Sequence, residues 1–451
     1  MKKVVAIILA LAFSLSLFTQ TIAAVGNDYS TNPLSTIEES GKKVVQVSLG
    51  GYHSAAITED GCLYMWGFNC YGQLGNGTTE DSYVPTKIMD NVTFVSLGRY
   101  HSAALTIDGS LYMWGYNDYG QLGNGITKDS YIPIKIMDNV AAVSLGYYNS
   151  AAITTDGSLY TWGQNTTGQL GNGRKENRLE ASYLPEKIIG NVASISLGSE
   201  HGAAITVHND LYMWGDNFFG QLGDGTSEDS YVPMKIMDNV VSVSLGNHHS
   251  AAITTDSSLY MWGDGYYGQL GNGESGLITE SHVPIKIMDN VISVRLGIFH
   301  SAAITADGSL YMWGDNSRGQ LGNGTYEFKN LPIKIMDGIV FASLGWYHSS
   351  AITTNGSLYM WGNNDYGQLG NGTTENSSVP VKIVIPSDPE FIPGDLNGDG
   401  IVNITDAIEL LKYVAKLDNN VVNIAGVDID GNGTVNINDA IALLKQIAGL
   451  S

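Results

Sequence analysis

The chain has two cysteines in 451 residues, too few to hold a fold together. Cys62 and Cys70 are separated by the apolar stretch Leu63–Trp66. Strand residues advance about 3.3 Å each, whereas bridged Cα atoms lie within about 7 Å, so both are expected as free thiols with no metal or redox role. Positive charge is also scarce: 22 Lys and Arg against 44 Asp and Glu give a net charge of −22. Such a chain is repelled by phosphate backbones and by anionic lipid, which argues against nucleic acid as a partner. Beyond the N-terminus no apolar run is long enough to span a membrane. Motifs of nucleotide, zinc-protease and serine-hydrolase chemistry are missing: there is no phosphate-binding glycine loop, no His-Glu-x-x-His and no Gly-x-Ser-x-Gly. The paired carboxylates of a glycosidase would leave no local signature, so that chemistry stays open. What is plentiful is apolar and aromatic: 43% hydrophobic and 10% aromatic residues, a composition unlike disorder.

The N-terminus has the organisation of a secretory signal. Lys2 and Lys3 precede an apolar run from Val4 to Phe18, and Thr21-Ile22-Ala23 offers small residues for cleavage. Residues 1–23 are therefore expected to be a signal peptide, with an uncleaved anchor as the alternative, and residues 24–43 a linker. No membrane span remains after signal removal.

Most of the chain is a repeat. Leu-Tyr-x-Trp-Gly occurs seven times, with Trp66, Trp114, Trp162, Trp214, Trp262, Trp313 and Trp361 spaced by 48, 48, 52, 48, 51 and 48 residues. Gly-Gln-Leu-Gly-x-Gly follows each, and each unit closes on Pro-x-Lys-Ile. The first unit reads as strands over Val44–Leu49, Ser54–Thr58, Leu63–Trp66 and Thr86–Met89, with Glu59-Asp60-Gly61 as a turn. Four short strands cannot bury both faces of their sheet alone; radial stacking covers the faces and shields the edges. A seven-bladed β-propeller over 44–385 is predicted, with a linear solenoid as the alternative. The repeat resembles those of the regulator of chromosome condensation family, whose fold is a seven-bladed propeller. The likeness covers Val44 to Ile385 and speaks to fold rather than function.

His53, His101, His201, His249, His300 and His348 share one repeat position, where the third unit has Asn149. Residues related by rotation do not converge on one asymmetric site away from the axis, so each ring is expected to be hydrogen-bonded inside its own blade. Asn-Gly-Thr at Asn76, Asn323 and Asn371 matches glycosylation sequons, but the turn needs Asn and Gly there. The loops joining first to second and third to fourth strands emerge on one propeller face and are rich in aromatics. Tyr71, Tyr119, Phe219, Tyr267 and Tyr366 share a repeat position, so they are expected between neighbouring blades. Arg99, Tyr147, Asn247, Ile298 and Trp346 differ between repeats and are the candidate ligand face for a polysaccharide or a second protein.

After a proline-rich linker at 386–393 the sequence changes. Two segments, Asp395-x-Asn397-x-Asp399-Gly400-Ile401 and Asp428-x-Asp430-x-Asn432-Gly433-Thr434, stand 33 residues apart and run on to Asp406 and Asp439. A calcium loop delivers oxygens from positions 1, 3, 5, 7 and 12, with Gly at 6. The expected ligands are Asp395, Asn397, Asp399 and Asp406 with the carbonyl of Ile401, then Asp428, Asp430, Asn432 and Asp439 with the carbonyl of Thr434. Two calcium ions follow. Asn403 and Asn436 occupy position 9, where contact is often through water, and Asp at 12 is shorter than the usual Glu. Helices are expected over Ala407–Ala415 and Ala440–Ile447, with Ile408, Leu411 and Ala415 on one stripe and Ile441, Leu444 and Ala448 on the other. This duplicate, over 394–451, resembles a dockerin. The resemblance implies a cohesin domain of a scaffolding protein as partner, bound through Ile404-Thr405 and Ile437-Asn438, with Leu411-Lys412 and Leu444-Lys445 joining the interface. Many dockerins carry a Ser/Thr pair at the first of these positions, and this chain departs from that.

Together these readings describe an all-β propeller with a small C-terminal α-helical calcium-binding module, secreted and extracellular. The expected role is a non-catalytic accessory or binding component of a cellulosome-like assembly in polysaccharide breakdown. Alternatives are a glycoside hydrolase component or a propeller-type protein inhibitor. Nuclear exchange-factor activity, known in the repeat family, conflicts with secretion and with the acidic charge.

Overall fold

The computed structural model describes residues 41–174, 181–277, 279–387, 396, 402–415, 428–430 and 434–448. The expected signal peptide and most of the 24–43 linker lie outside them. The chain divides into a propeller unit ending at Ile385 and a C-terminal unit after it. Among the described residues no helix is long and apolar enough to cross a membrane.

In the first blade β1 (Val44–Leu49), β2 (His53–Thr58), β3 (Leu63–Gly67) and β4 (Ser82–Met89) form one antiparallel sheet in sequence order. Six more four-stranded sheets follow, each from consecutive strands, the last over Ile339–Ile383. No blade borrows a strand from another, so ring closure rests on contacts between blades. The first strands line the central axis. The outermost strands carry Pro85 and its six counterparts, and are half-exposed. Proline has no N–H to offer a further strand, which blunts the seven open edges.

The core is distributed over the seven seams between blades. Ala55, Ile57, Leu63, Met65 and Leu74 of the first blade pack against Val92, Val95, Leu97, Ala104 and Trp114 of the second, and the same set recurs around the ring. The seam between last and first blades is built alike, with Val44, Trp66, Ile352, Met360 and Leu369. The seven repeat tryptophans, Trp66 to Trp361, are fully buried. Each lies over a loop glycine of the preceding blade. A Cβ on Gly75, which has φ +73°, would stand 2.7 Å from Trp114 Nε1, so only glycine lets the loop close on the ring.

The buried histidines reach across the seams, which corrects the expectation that each bonds inside its own blade. His53 Nε2 lies 3.0 Å from Ser102 Oγ, and His348 Nε2 3.1 Å from Ser54 Oγ, closing the circle. The serine hydroxyl donates to the carbonyl of a loop glutamine, Ser102 to Gln73 O at 2.8 Å, and Trp114 Nε1 donates to the same oxygen at 2.9 Å. With the serine proton committed, the histidine must be the donor: each is the neutral Nε2–H tautomer. Asn149 breaks the relay, and the serine it would meet in the fourth blade is Gly202. A Cβ at 202 would stand 2.5 Å from Trp214 Cε2, so both partners of one seam depart together.

In the C-terminal unit α1 (Ile404–Val414) and α2 (Ile437–Ile447) pack through Leu396, Ala407, Leu410, Ala440 and Leu443. Both helices begin three residues earlier than expected, because Asn403 and Asn436 cap them, each side chain accepting the N–H two residues on. The expected stripe of Ile408 and Leu411 exists but faces outward; the residues before them, Ala407 and Leu410, make the core.

Candidate functional site

Asp428, Asp430 and Asp439 each offer an oxygen within 4.8 Å of the others. Two oxygens on opposite sides of a calcium ion with bonds near 2.4 Å stand about that far apart, so the set fits the cation. Asp395, Asn397, Asp399, Ile401 and Asn432 lie outside the described residues. Asp406 and Asp439 are fully buried and matched. Asp406 accepts N–H bonds from Leu396 and Asn403, both at 2.8 Å, and Asp439 from Asn436 at 2.8 Å and Asp430 at 3.3 Å. The position-12 carboxylate therefore ties the loop to the helix: it is also the third residue of a capping box. Burial raises the Asp439 pKa, but the donors from Asn436, Asp430 and Ile429 outweigh it and hold the carboxyl below its ordinary value.

The position-9 asparagines do other work. Asn403 Oδ1 accepts from Thr405 N at 2.9 Å, and Asn436 Oδ1 from Asn438 N at 2.9 Å. Asn436 Nδ2 donates to the Thr434 carbonyl at 2.9 Å, which ties that expected ligand to the helix cap. The capping role was legible in the Asn-x-x-Asp spacing, which the calcium reading alone passes over.

Of the expected partner-binding residues, Ile404, Thr405, Leu411, Lys412, Ile437, Asn438 and Lys445 are exposed, while Leu444 packs partly into the helix core. Ile404, Ile408 and Leu411 share one face of α1, and Ile437 and Ile441 the matching face of α2. Each unit thus shows the same apolar face twice.

On the propeller, Arg99, Tyr147, Asn247, Ile298 and Trp346 come together with Gly51 and Ser199 at one mouth of the axis. Trp346, of the last blade, stacks on Tyr147 of the third at 5.3 Å between centroids. The Arg99 guanidinium lies 4.1 Å from the centre of Tyr147, 4.4 Å from Trp346 and 4.6 Å from Tyr100, and donates to Tyr148 Oη at 2.9 Å. Tyr52, Phe68, Tyr71, Tyr116 and Tyr366 extend this cluster over the first, second and last blades. The rings sharing a repeat position do bridge blades: Tyr71 meets Tyr100 at 5.2 Å, and Tyr119 meets Tyr148 at 4.8 Å.

The other half of this face is acidic, a feature the aromatic pattern of the sequence does not signal. Where the first two blades have Phe68 and Tyr116, blades four to six have Asp216, Asp264 and Asp315, each accepting from the Nε2 of a loop glutamine, Gln221, Gln269 or Gln320. In blades one to three the same Gln73, Gln121 and Gln169 Nε2 atoms are buried without a partner. Glu200 adjoins Asp216; burial and that neighbouring charge raise its pKa. Burial also pushes Asp216 up, but His248, 3.6 Å away, holds it low overall. These residues were detectable as departures from the repeat.

Residues 19–336 match the RCC1-like domain, and 339–368 and 355–392 match the regulator of chromosome condensation (RCC1) repeat. Residues 393–448 match the dockerin type I domain. Human WBSCR16 superposes with a TM-score of 0.66 at 22% identity, over 73% of this chain and 96% of that one. Yeast Prp20p does so with 0.61 at 25% identity, over 68% and 82%. Among curated relatives, the human E3 ubiquitin-protein ligase HERC2 is 48% identical over 48 residues, 11% of this chain and 1% of that protein. The human X-linked retinitis pigmentosa GTPase regulator is 34% identical over 135 residues, 28% and 13%. The chain thus matches a small part of these curated relatives' length. It belongs to the RCC1-like domain family and carries a type I dockerin domain at its C-terminal end.

Proposed function

We propose that this protein is a secreted, non-catalytic binding component of a cellulosome-like assembly. Its C-terminal unit, ordered by two calcium ions, docks to a cohesin, and the aromatic half of its propeller face binds a polysaccharide or a second protein. One observation carries the binding role. Blades one to three give up the Asp–Gln hydrogen bond that blades four to six make, and each buried amide left without a partner costs about 1–3 kcal/mol. A stability loss retained on one side, under a stack of half-exposed rings, suits a surface kept for recognition. Protein ligands have precedent in the fold: yeast RCC1 has been solved with Kap60 bound.

In the C-terminal unit, Asp395, Asn397, Asp399 and Asp406, and Asp428, Asp430, Asn432 and Asp439, would hold the ions, with the carbonyls of Ile401 and Thr434. Calcium there neutralises clustered carboxylates and so lets the loops fold. The paired faces at Ile404/Ile408 and Ile437/Ile441 are the docking surface. The test is titration of the full chain against cohesin and polysaccharide panels, with calcium and with chelator. Chelation is expected to abolish cohesin binding and leave the propeller's unfolding transition in place; cohesin binding that survives chelation overturns the docking model. Trp346→Ala is expected to weaken the propeller ligand at least tenfold.

A second reading, a glycoside hydrolase, rests on Glu200 and Asp216, neighbouring carboxylates whose pKa values are driven apart. Reducing-sugar release by the full chain, lost in Glu200→Gln, would establish it; no release in the wild type removes it.

A further inference from the structure

A second axial space, distinct from the mouth lined by Arg99 and Trp346, lies deeper among the first strands. It holds about 360 Å³. Its repeating element is a ring of serines at one repeat position in six of the seven blades: Ser48, Ser96, Ser144, Ser196, Ser244 and Ser343. Each hydroxyl oxygen accepts the amide of a leucine on the next blade's first strand, as in Leu97 N to Ser48 Oγ at 3.1 Å and Leu49 N to Ser343 Oγ at 3.2 Å. Accepting uses a lone pair and leaves the hydroxyl proton. Among the described residues none of these protons is bonded to a protein acceptor, so six O–H donors are available along the channel wall.

The sixth blade replaces serine with Arg295, which lines the same space. Its Nη1 donates to its neighbour's carbonyl, Val294 O, at 2.8 Å, and its guanidinium lies 5.2 Å from the centre of the Phe341 ring. It forms no ion pair with a carboxylate among the described residues, in a chain with twice as many acids as bases. Burial lowers its pKa and no neighbouring negative charge offsets the effect. A partly buried cation without a counter-charge is costly, and the serine that the other six blades carry would avoid it.

We propose that this channel is a binding site for one small oxyanion, a carboxylate, sulfate or phosphate group held by the Arg295 guanidinium and by serine hydroxyls. The hydroxyl protons and the guanidinium can all donate to an acceptor-only ligand, and the fixed positive charge of Arg295 disfavours a cation. A planar guanidinium takes two oxygens of such a group side by side. The volume admits an acid as large as a monosaccharide.

Sulfate, inorganic phosphate and galacturonate are titrated separately into the full chain at constant ionic strength, with chloride as the balancing anion. Calorimetry and the propeller's thermal transition are the readouts. At least one of the three is expected to bind saturably and to raise the transition. Arg295→Ser, which restores the residue of the other blades, is expected to weaken that binding at least tenfold and to remove the anion-dependent rise; Arg295→Lys is expected to keep part of both. Which probe binds identifies the source of the oxyanion. General salt stabilisation acts on wild type and variant alike, so an equal response in both overturns the proposal, as does saturable binding by none of the three. Should Arg295→Ser fail to fold, Arg295→Gln, which keeps the side chain's bulk, gives the same comparison.

Discussion

Acid should unfold the propeller steeply, because six of its seams depend on a neutral histidine. Burial pushes the pKa of His53, His101, His201, His249, His300 and His348 down to about 3, from an ordinary 6.5. The tautomer explains why the shift resists relaxation. Nε2 already donates to serine, and each Nδ1 is buried without a partner, against a glycine whose Cβ would stand 2.5–2.8 Å from that nitrogen. A proton on Nδ1 would have no acceptor. The unfolded chain takes up protons below pH 6.5 while the folded chain does not, so stability rises with pH in this window and is lost as pH falls toward 3. At pH 5 each ring accounts for about 2 kcal/mol, and six for about 12 kcal/mol, which exceeds or matches the whole stability of most domains. Guanidinium unfolding followed by tryptophan fluorescence at several pH values between 7.5 and 5 measures the slope, expected at about 8 kcal/mol per pH unit below pH 6. The double variant His101→Asn/Ser150→Gly copies the natural pair Asn149/Gly202 and should lower that slope by about 1.4 kcal/mol per pH unit, one proton's worth. An unchanged slope would refute the assignment of acid sensitivity to these rings.

Three further outcomes follow from the geometry. Gly75→Ala forces a side chain into a left-handed backbone and against Trp114 Nε1, and should lower stability by about 2–4 kcal/mol in chemical unfolding. Ser102→Ala strips His53 Nε2 of its acceptor and Gln73 O of one donor, and should lower stability by about 1–3 kcal/mol in the same assay. Asp439→Asn keeps the shape of the loop-helix junction but removes a charge from the cluster with Asp428 and Asp430; calorimetry should show one calcium fewer, with Asp406→Asn giving the same result in the other loop.

Much of the fold was legible because it is periodic. Seven copies of one strand pattern leave few ways to cover their faces, and the turn residues mark strand ends well. The loop-helix duplicate was equally plain, since oxygen spacing along one short segment is a local property. The helices start three residues before the apolar stripe suggests because Asn403 and Asn436, position 9 of the loops by spacing, also cap them. The helix face was displaced by one residue because Ile408 and Leu411 are the more hydrophobic choice, yet the smaller Ala407 lets the two helices approach and takes the core.

Sequence by itself determined the blade count, the buried tryptophans, the glycine-bound loops and the candidate calcium ligands, because each of these depends on neighbours a few residues away. Tertiary structure decided where each buried polar group finds its partner. His53 and Ser102 are 49 residues apart, and Ser54 and His348 294. It likewise decided that single departures from the repeat, Arg99 with Trp346 and Arg295 with the serines, face one another across the axis. A repeat specifies its own unit, whereas contacts between units and around the ring exist only once rotation brings distant copies into register.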